Sequence, residues 1–128
     1  MRHIKTRSKR GLFKFLAASD SAQAAMMVLR PGQKSSEEVE NEHPHSEQWL
    51  FVVSGTGTAR VGKGKVALAE NSLLLIEKDE PHQVENTHKR RPLITLNVYI
   101  PPAYDEKGEV TLRAKGVAKA VADAVRGQ

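Results

Sequence analysis

The stretch His43-Pro44-His45-Ser46-Glu47-Gln48-Trp49-Leu50-Phe51-Val52-Val53-Ser54-Gly55 decides the fold. Gln48–Val53 is rich in aromatic and branched residues and stops at Ser54-Gly55-Thr56-Gly57, a turn signal, so it reads as a β-strand. Alternation places Gln48, Leu50 and Val52 on one face and turns Trp49 and Phe51 to the other. Glu38–His43 is expected to be its antiparallel neighbour. If Pro44–Glu47 is the connecting loop, His43 and Gln48 stand opposite each other, with Cβ atoms about 4.5–5.5 Å apart. Side chains so placed can share a metal ion. Asn41 falls on the face of His43, and Glu47 sits in the loop or points away. The result is a polar cluster next to an apolar face.

Outward from this stretch the punctuation stays that of an all-β chain. Phe13, Phe15 and Ala17 alternate, and Ala22–Leu29 is stopped by Pro31-Gly32. Thr58–Val61 and Val66–Ala69 flank Gly62-Lys63-Gly64-Lys65, followed by Ser72–Ile76, the break Glu77–Pro81, His82–Asn86, and Leu93–Ile100 ending at Pro101-Pro102. Short strands at intervals of about ten residues predict a sandwich or barrel. His82, Val84 and Asn86 share a face of their strand. Imidazole is the commonest ligand for zinc, iron, nickel and copper, which marks His43 and His82. Spacing alone does not bring them together. Over Lys115–Arg126 the apolar residues Val117, Ala120, Val121, Ala124 and Val125 recur at helical spacing.

Composition bounds the chemistry. A chain of 128 residues has room for one domain, and 39% apolar against 27% charged residues is a globular balance. There is no cysteine, which excludes disulfides, a thiol nucleophile and Cys-ligated zinc or iron–sulfur centres. The formal charge of +5 equals the five cations Arg2, Lys5, Arg7, Lys9 and Arg10 of the first ten residues. An acidic run follows at Glu37, Glu38, Glu40, Glu42 and Glu47. No aromatic residue lies among the basic tail's charges, so nucleic acid ranks last among partners. No apolar stretch approaches the roughly 20 residues that span a bilayer. Leu12–Ala18 is short and interrupted by Lys14, so no signal peptide is read and a cytoplasmic location is expected.

These residues resemble a small single-domain cupin. That family's first motif places His-x-His three or four residues before a Glu, and a Gly after six more. Gln48 and Gly55 match the second half, with Gln in the Glu place; His43 matches the second His, and Asn41 falls where the first belongs. The second motif, an aliphatic strand followed by Pro, His, three residues and Asn, is matched at Pro81, His82 and Asn86, with Glu70-Asn71 replacing its leading Pro-Gly. Ser46–Gly57 is also similar to the cupin of mannose-phosphate isomerase-type enzymes.

The resemblance implies an all-β jelly roll, a double-stranded β-helix, over residues 11–104. A basic tail (1–10) precedes it, and an extension (105–128) that admits a short helix follows. It brings His82 to the His43/Gln48 hairpin and implies a divalent iron, manganese, nickel or zinc ion. The family holds that metal with three His and one Glu. Here the ligand set becomes His43, Gln48 and His82, with His45 as a replacement swinging in from the loop. Such a set carries no ligand charge, and an ion held by it favours anionic substrates. The alternative for His43 and His82 is two barrel histidines hydrogen-bonded to neighbouring amides. Asn41, Glu47, Leu50 and Asn86 are the substrate-contact candidates. The expected function is binding or transforming a small polar or anionic metabolite, as a metal-dependent dioxygenase, isomerase or lyase. The competing expectation is a non-catalytic sugar or metabolite-binding module with a degenerate metal site. A homodimer formed through the N-terminal strand or outer sheet faces is also implied.

Overall fold

The computed structural model describes residues 1–6 and 12–116. Eight strands follow in order: β1 (Phe13–Ala18), β2 (Gln23–Leu29), β3 (Glu47–Ser54), β4 (Gly57–Val61), β5 (Gly64–Leu68), β6 (Leu73–Ile76), β7 (His82–Glu85) and β8 (Leu93–Ile100). They form two antiparallel sheets, ordered β1-β2-β8-β3-β6 and β5-β4-β7. The jelly-roll expectation holds, and the strands lie where alternation and turn residues put them. Gly62, at φ +58°, starts the two-residue loop that closes the β4–β5 hairpin, a backbone state that glycine adopts without Cβ strain.

The core is where the inner faces meet. Met27, Leu29, Leu50, Val52 and Leu93 from the larger sheet pack on Ala59, Leu68 and Val84 from the smaller. Trp49 and Val53 point outward, as the period of two requires. A second apolar cluster gathers Ala25 and Tyr99 with Ala103 and Ala114, backed by Phe13, Tyr104 and Val110. It forms because the chain after β8 folds back over one end of the barrel. The buried amide of Gln23 fixes that return: its oxygen accepts from the backbone N–H groups of Ala103 and Tyr104, and its nitrogen donates to the Tyr104 carbonyl.

The expected pairing of Glu38–His43 with β3 does not occur. Both edges of β3 are occupied, by β8 and β6. The glutamate-rich segment, poor in β-formers, makes only an isolated bridge, from Glu40 to His82 of β7. No helix forms in residues 105–116. The helical spacing from Val117 onward lies outside the described residues, as do Arg7, Lys9 and Arg10 of the basic tail. No helix among the described residues is long and apolar enough to cross a membrane.

Gly55 and Gly62 both have positive φ, at +92° and +58°, but their surroundings differ. A Cβ on Gly55 collides with the Pro92 carbonyl oxygen, whereas a Cβ on Gly62 meets nothing within 4 Å. Gly55→Ala is therefore expected to cost more than about 2 kcal/mol, and Gly62→Ala only about 1 kcal/mol. Urea denaturation of the two variants checks the ranking.

Candidate functional site

The inner face of β8 runs Leu93, Thr95, Asn97, Tyr99, all buried, and passes from apolar to polar along the strand. On β3, running antiparallel beside it, Val52 and Leu50 lie in the core and Gln48 faces Tyr99 across the ladder. A polar layer thus sits above the first apolar cluster. His43 enters this layer from the preceding loop, through a turn in which the Ser46 N–H donates to the His43 carbonyl at 3.0 Å. The ring is 1% exposed. Its Nδ1 donates to the Ser46 carbonyl at 3.1 Å, and its Nε2 lies 3.1 Å from Gln48 Oε1. Gln48 continues to Asn97, with Nε2 to Oδ1 at 2.9 Å, and Asn97 Nδ2 reaches Thr95 Oγ1 at 3.0 Å.

For a singly protonated His43, donor counting sets the sense of this chain. A carbonyl only accepts, so the Ser46 contact requires a proton on His43 Nδ1. Nε2 of a singly protonated ring then offers a lone pair, and the facing amide group must donate. A half-turn of the Gln48 and Asn97 amides supplies this. Gln48 then donates to Nε2, Asn97 to Gln48, and the Thr95 hydroxyl to Asn97. Each of the four side chains keeps a partner in this sense, and the 3.4 Å contact of Asn97 with the Thr95 carbonyl is given up. Ser46 Oγ beside it is buried without a partner.

His82 opens β7, directly after the Glu77–Pro81 break. Its Nδ1 donates to the Glu80 carbonyl at 3.0 Å, which leaves Nε2 with a lone pair. Burial lowers its pKa below the ordinary 6.5; the Glu80 hydrogen bond and the nearby Glu42 work against that shift, and His43 adds to it. The His43 ring lies 5.0 Å from that of His82 and 5.1 Å from Tyr99, and Tyr99 meets Tyr104 edge-on at 5.1 Å. The Tyr104 hydroxyl donates to Glu42 Oε2 at 3.0 Å. Burial first, then the Glu42 charge, raises the Tyr99 pKa; Tyr104 is raised by burial, by Tyr99 and by Glu42, so both stay protonated. Between these groups lies a cavity of about 150 Å³, with Gln48, His82, Tyr99, Tyr104, Glu40 and Glu42 among its walls.

The structure brings His43, Gln48 and His82 together and holds His45 away: His45 is exposed, with its ring against Gly116. Of the substrate-contact candidates, Leu50 is core, and Asn41 is half-buried and does not line the cavity. Glu47 accepts from Trp49 Nε1 at 2.7 Å. Asn86 is buried and holds loops together, donating to the Leu29 and Arg91 carbonyls and accepting from the His88 N–H. Thr95, Asn97, Tyr99, Tyr104 and Glu42 went unmarked in the sequence. The one signal for the first three is parity, since Thr95, Asn97 and Tyr99 share the inward register of Leu93; Tyr104 and Glu42 have none.

The donors do not fit the metal centre that the resemblance implies. Two imidazoles and an amide replace three imidazoles and a carboxylate, and the amide closes on His43 rather than on open space. No group of three or more His, Asp or Glu among the described residues is arranged to hold an ion.

A protein-family model for the cupin domain matches residues 25–99. Among solved structures, BH2720 from Bacillus halodurans superimposes with a TM-score of 0.71 at 28% identity, covering 82% of this chain and 80% of that one. TT1209 from Thermus thermophilus gives 0.67 at 20% identity, covering 79% and 98%. A predicted oxalate decarboxylase from Thermotoga maritima gives 0.58 at 20% identity, covering 70% and 79%. No curated protein matches the chain significantly. The family match runs from within β2 to within β8, through every strand that carries the polar layer, and the chain belongs to the cupin family.

Proposed function

We propose that this cupin binds a small polar metabolite in the cavity between its sheets, without a resident metal ion, as a recognition module. One observation carries the reading. Tyr99 is 4% exposed, lines the cavity, and its hydroxyl has no hydrogen-bond partner among the described residues. The Tyr99 oxygen is not among the fully buried unpaired atoms, so it opens on the cavity and is positioned for something that enters it. His82 Nε2 offers a lone pair at the same wall. The apolar side chains of Phe13, Met27 and Val84 would cover the rest of a ligand. A few convergent polar groups on an apolar lining are the usual makeup of a small-molecule site. Two imidazoles and an amide that closes on one of them leave fewer free donors than the three protein ligands usual at a catalytic metal centre.

Ligand-induced thermal stabilisation across a panel of small sugars, alcohols, amines and acids tests the proposal. Chelator-treated protein should be stabilised by at least one class, and Tyr99→Phe should weaken that ligand about fivefold, the loss of one hydrogen bond. Binding that appears only after a divalent ion is added would contradict it.

The lowered pKa of His82 sets a pH dependence. Below 6.5 the unfolded chain takes up the proton at this residue more readily than the folded one. Its contribution to stability is therefore complete above 6.5 and is lost as the pH falls from there toward the lower folded-state value. Thermal unfolding of the native protein should weaken between about pH 7.5 and 5.5 more than that of His82→Gln.

A further inference from the structure

We infer that the cavity selects a small primary amine, bound as its ammonium ion between Glu42 and the Tyr99 and Tyr104 rings. This rests on the cavity reading above and names the ligand class for it. The chain carries a net charge of +5, yet among the described residues the cavity is lined by two carboxylates, Glu40 and Glu42, and by no lysine or arginine. The charged side chains on the described part of this wall are therefore both negative.

The hydrogen-bonding inventory of the wall points the same way. Glu40 and Glu42 offer carboxylate oxygens and His82 offers the lone pair of Nε2. The Tyr104 hydroxyl donates to Glu42 Oε2, which orients that carboxylate and leaves its other oxygen open. Ser35, Ser36, Gln48 and Tyr99 complete the polar lining: the Ser35 hydroxyl accepts from the Val84 N–H, the Ser36 hydroxyl donates to the Glu38 carbonyl, and the Tyr99 hydroxyl can accept as well as donate. The charged groups of this wall only accept, and an ammonium group, with three donors and no acceptor, complements them.

The rings supply the rest. Phe13 and Tyr104 lie 4.7 Å apart between centroids, and Tyr104 and Tyr99 5.1 Å apart, so a cation in the cavity borders several aromatic surfaces. An anion in the same place meets two carboxylates and a lone pair. This differs from the anionic preference that a bound metal would bring. The volume of about 150 Å³ suits a body about the size of benzene.

A matched series separates charge from shape: cyclohexylamine, cyclohexanol and cyclohexanecarboxylate, titrated calorimetrically into the full-length protein at neutral pH and low salt. The amine should bind at least about tenfold more tightly than the alcohol, with the carboxylate weakest. Glu42→Gln, which keeps an acceptor for the Tyr104 hydroxyl, should remove most of the amine's advantage and leave the alcohol unchanged. Binding of the alcohol or carboxylate as tight as that of the amine overturns the ammonium assignment and leaves the cavity reading standing. No binding by any of the three overturns both. The comparison on the native protein needs no variant, so it decides even if Glu42→Gln does not fold.

Discussion

The arrangement at this end of the barrel depends on one imidazole held at both nitrogens. His43 is almost fully buried, with Nδ1 committed to a carbonyl of its own loop and Nε2 to the Gln48 amide. The first contact shapes the loop that enters β3. The second ties that loop to β3 and, through Asn97 and Thr95, to the inner face of β8. Interrupting such a chain leaves buried polar groups unpaired, at about 1–3 kcal/mol each. The four side chains therefore act as a unit. They also fix Gln48 at the cavity wall.

The fold was largely legible because its signals are local. Alternation and Gly/Pro/Asn punctuation placed every strand of both sheets close to its observed position. What failed was a question of partners. Glu38–His43 looked like the neighbour of β3, but neighbours in a sheet are chosen by long-range packing, and β8 and β6 take both edges. The contact between His43 and Gln48 was nonetheless anticipated, from a hairpin register that does not exist. The loop achieves it instead by a turn at His43–Ser46. Family resemblance, not spacing, placed His82 beside them.

The site's other half was harder to read. Leu93–Ile100 reads simply as a strand, and the significance of Thr95, Asn97 and Tyr99 lies only in their shared inward parity with Leu93. Tyr104 follows Pro101-Pro102, where the strand pattern stops, yet the returning chain brings it to the cavity, against Phe13, Tyr99 and Glu42. Gln48 marks the point at which this cupin departs from its family's metal-binding pattern. Where a glutamate would bring charge to an ion, an amide can donate to one ring and accept from its neighbour, and the cavity is left to hydroxyl, imidazole and carboxylate groups.

The protonation of His43 tests this account most directly. Long-range proton–nitrogen NMR correlations, with His43 assigned through a His43→Gln variant, report which ring nitrogen carries the proton. The account predicts a proton on Nδ1, a lone pair on Nε2 engaged by Gln48, and no change in either signal when zinc or nickel is added. A proton on Nε2, or an Nε2 signal that moves on metal addition, would contradict it.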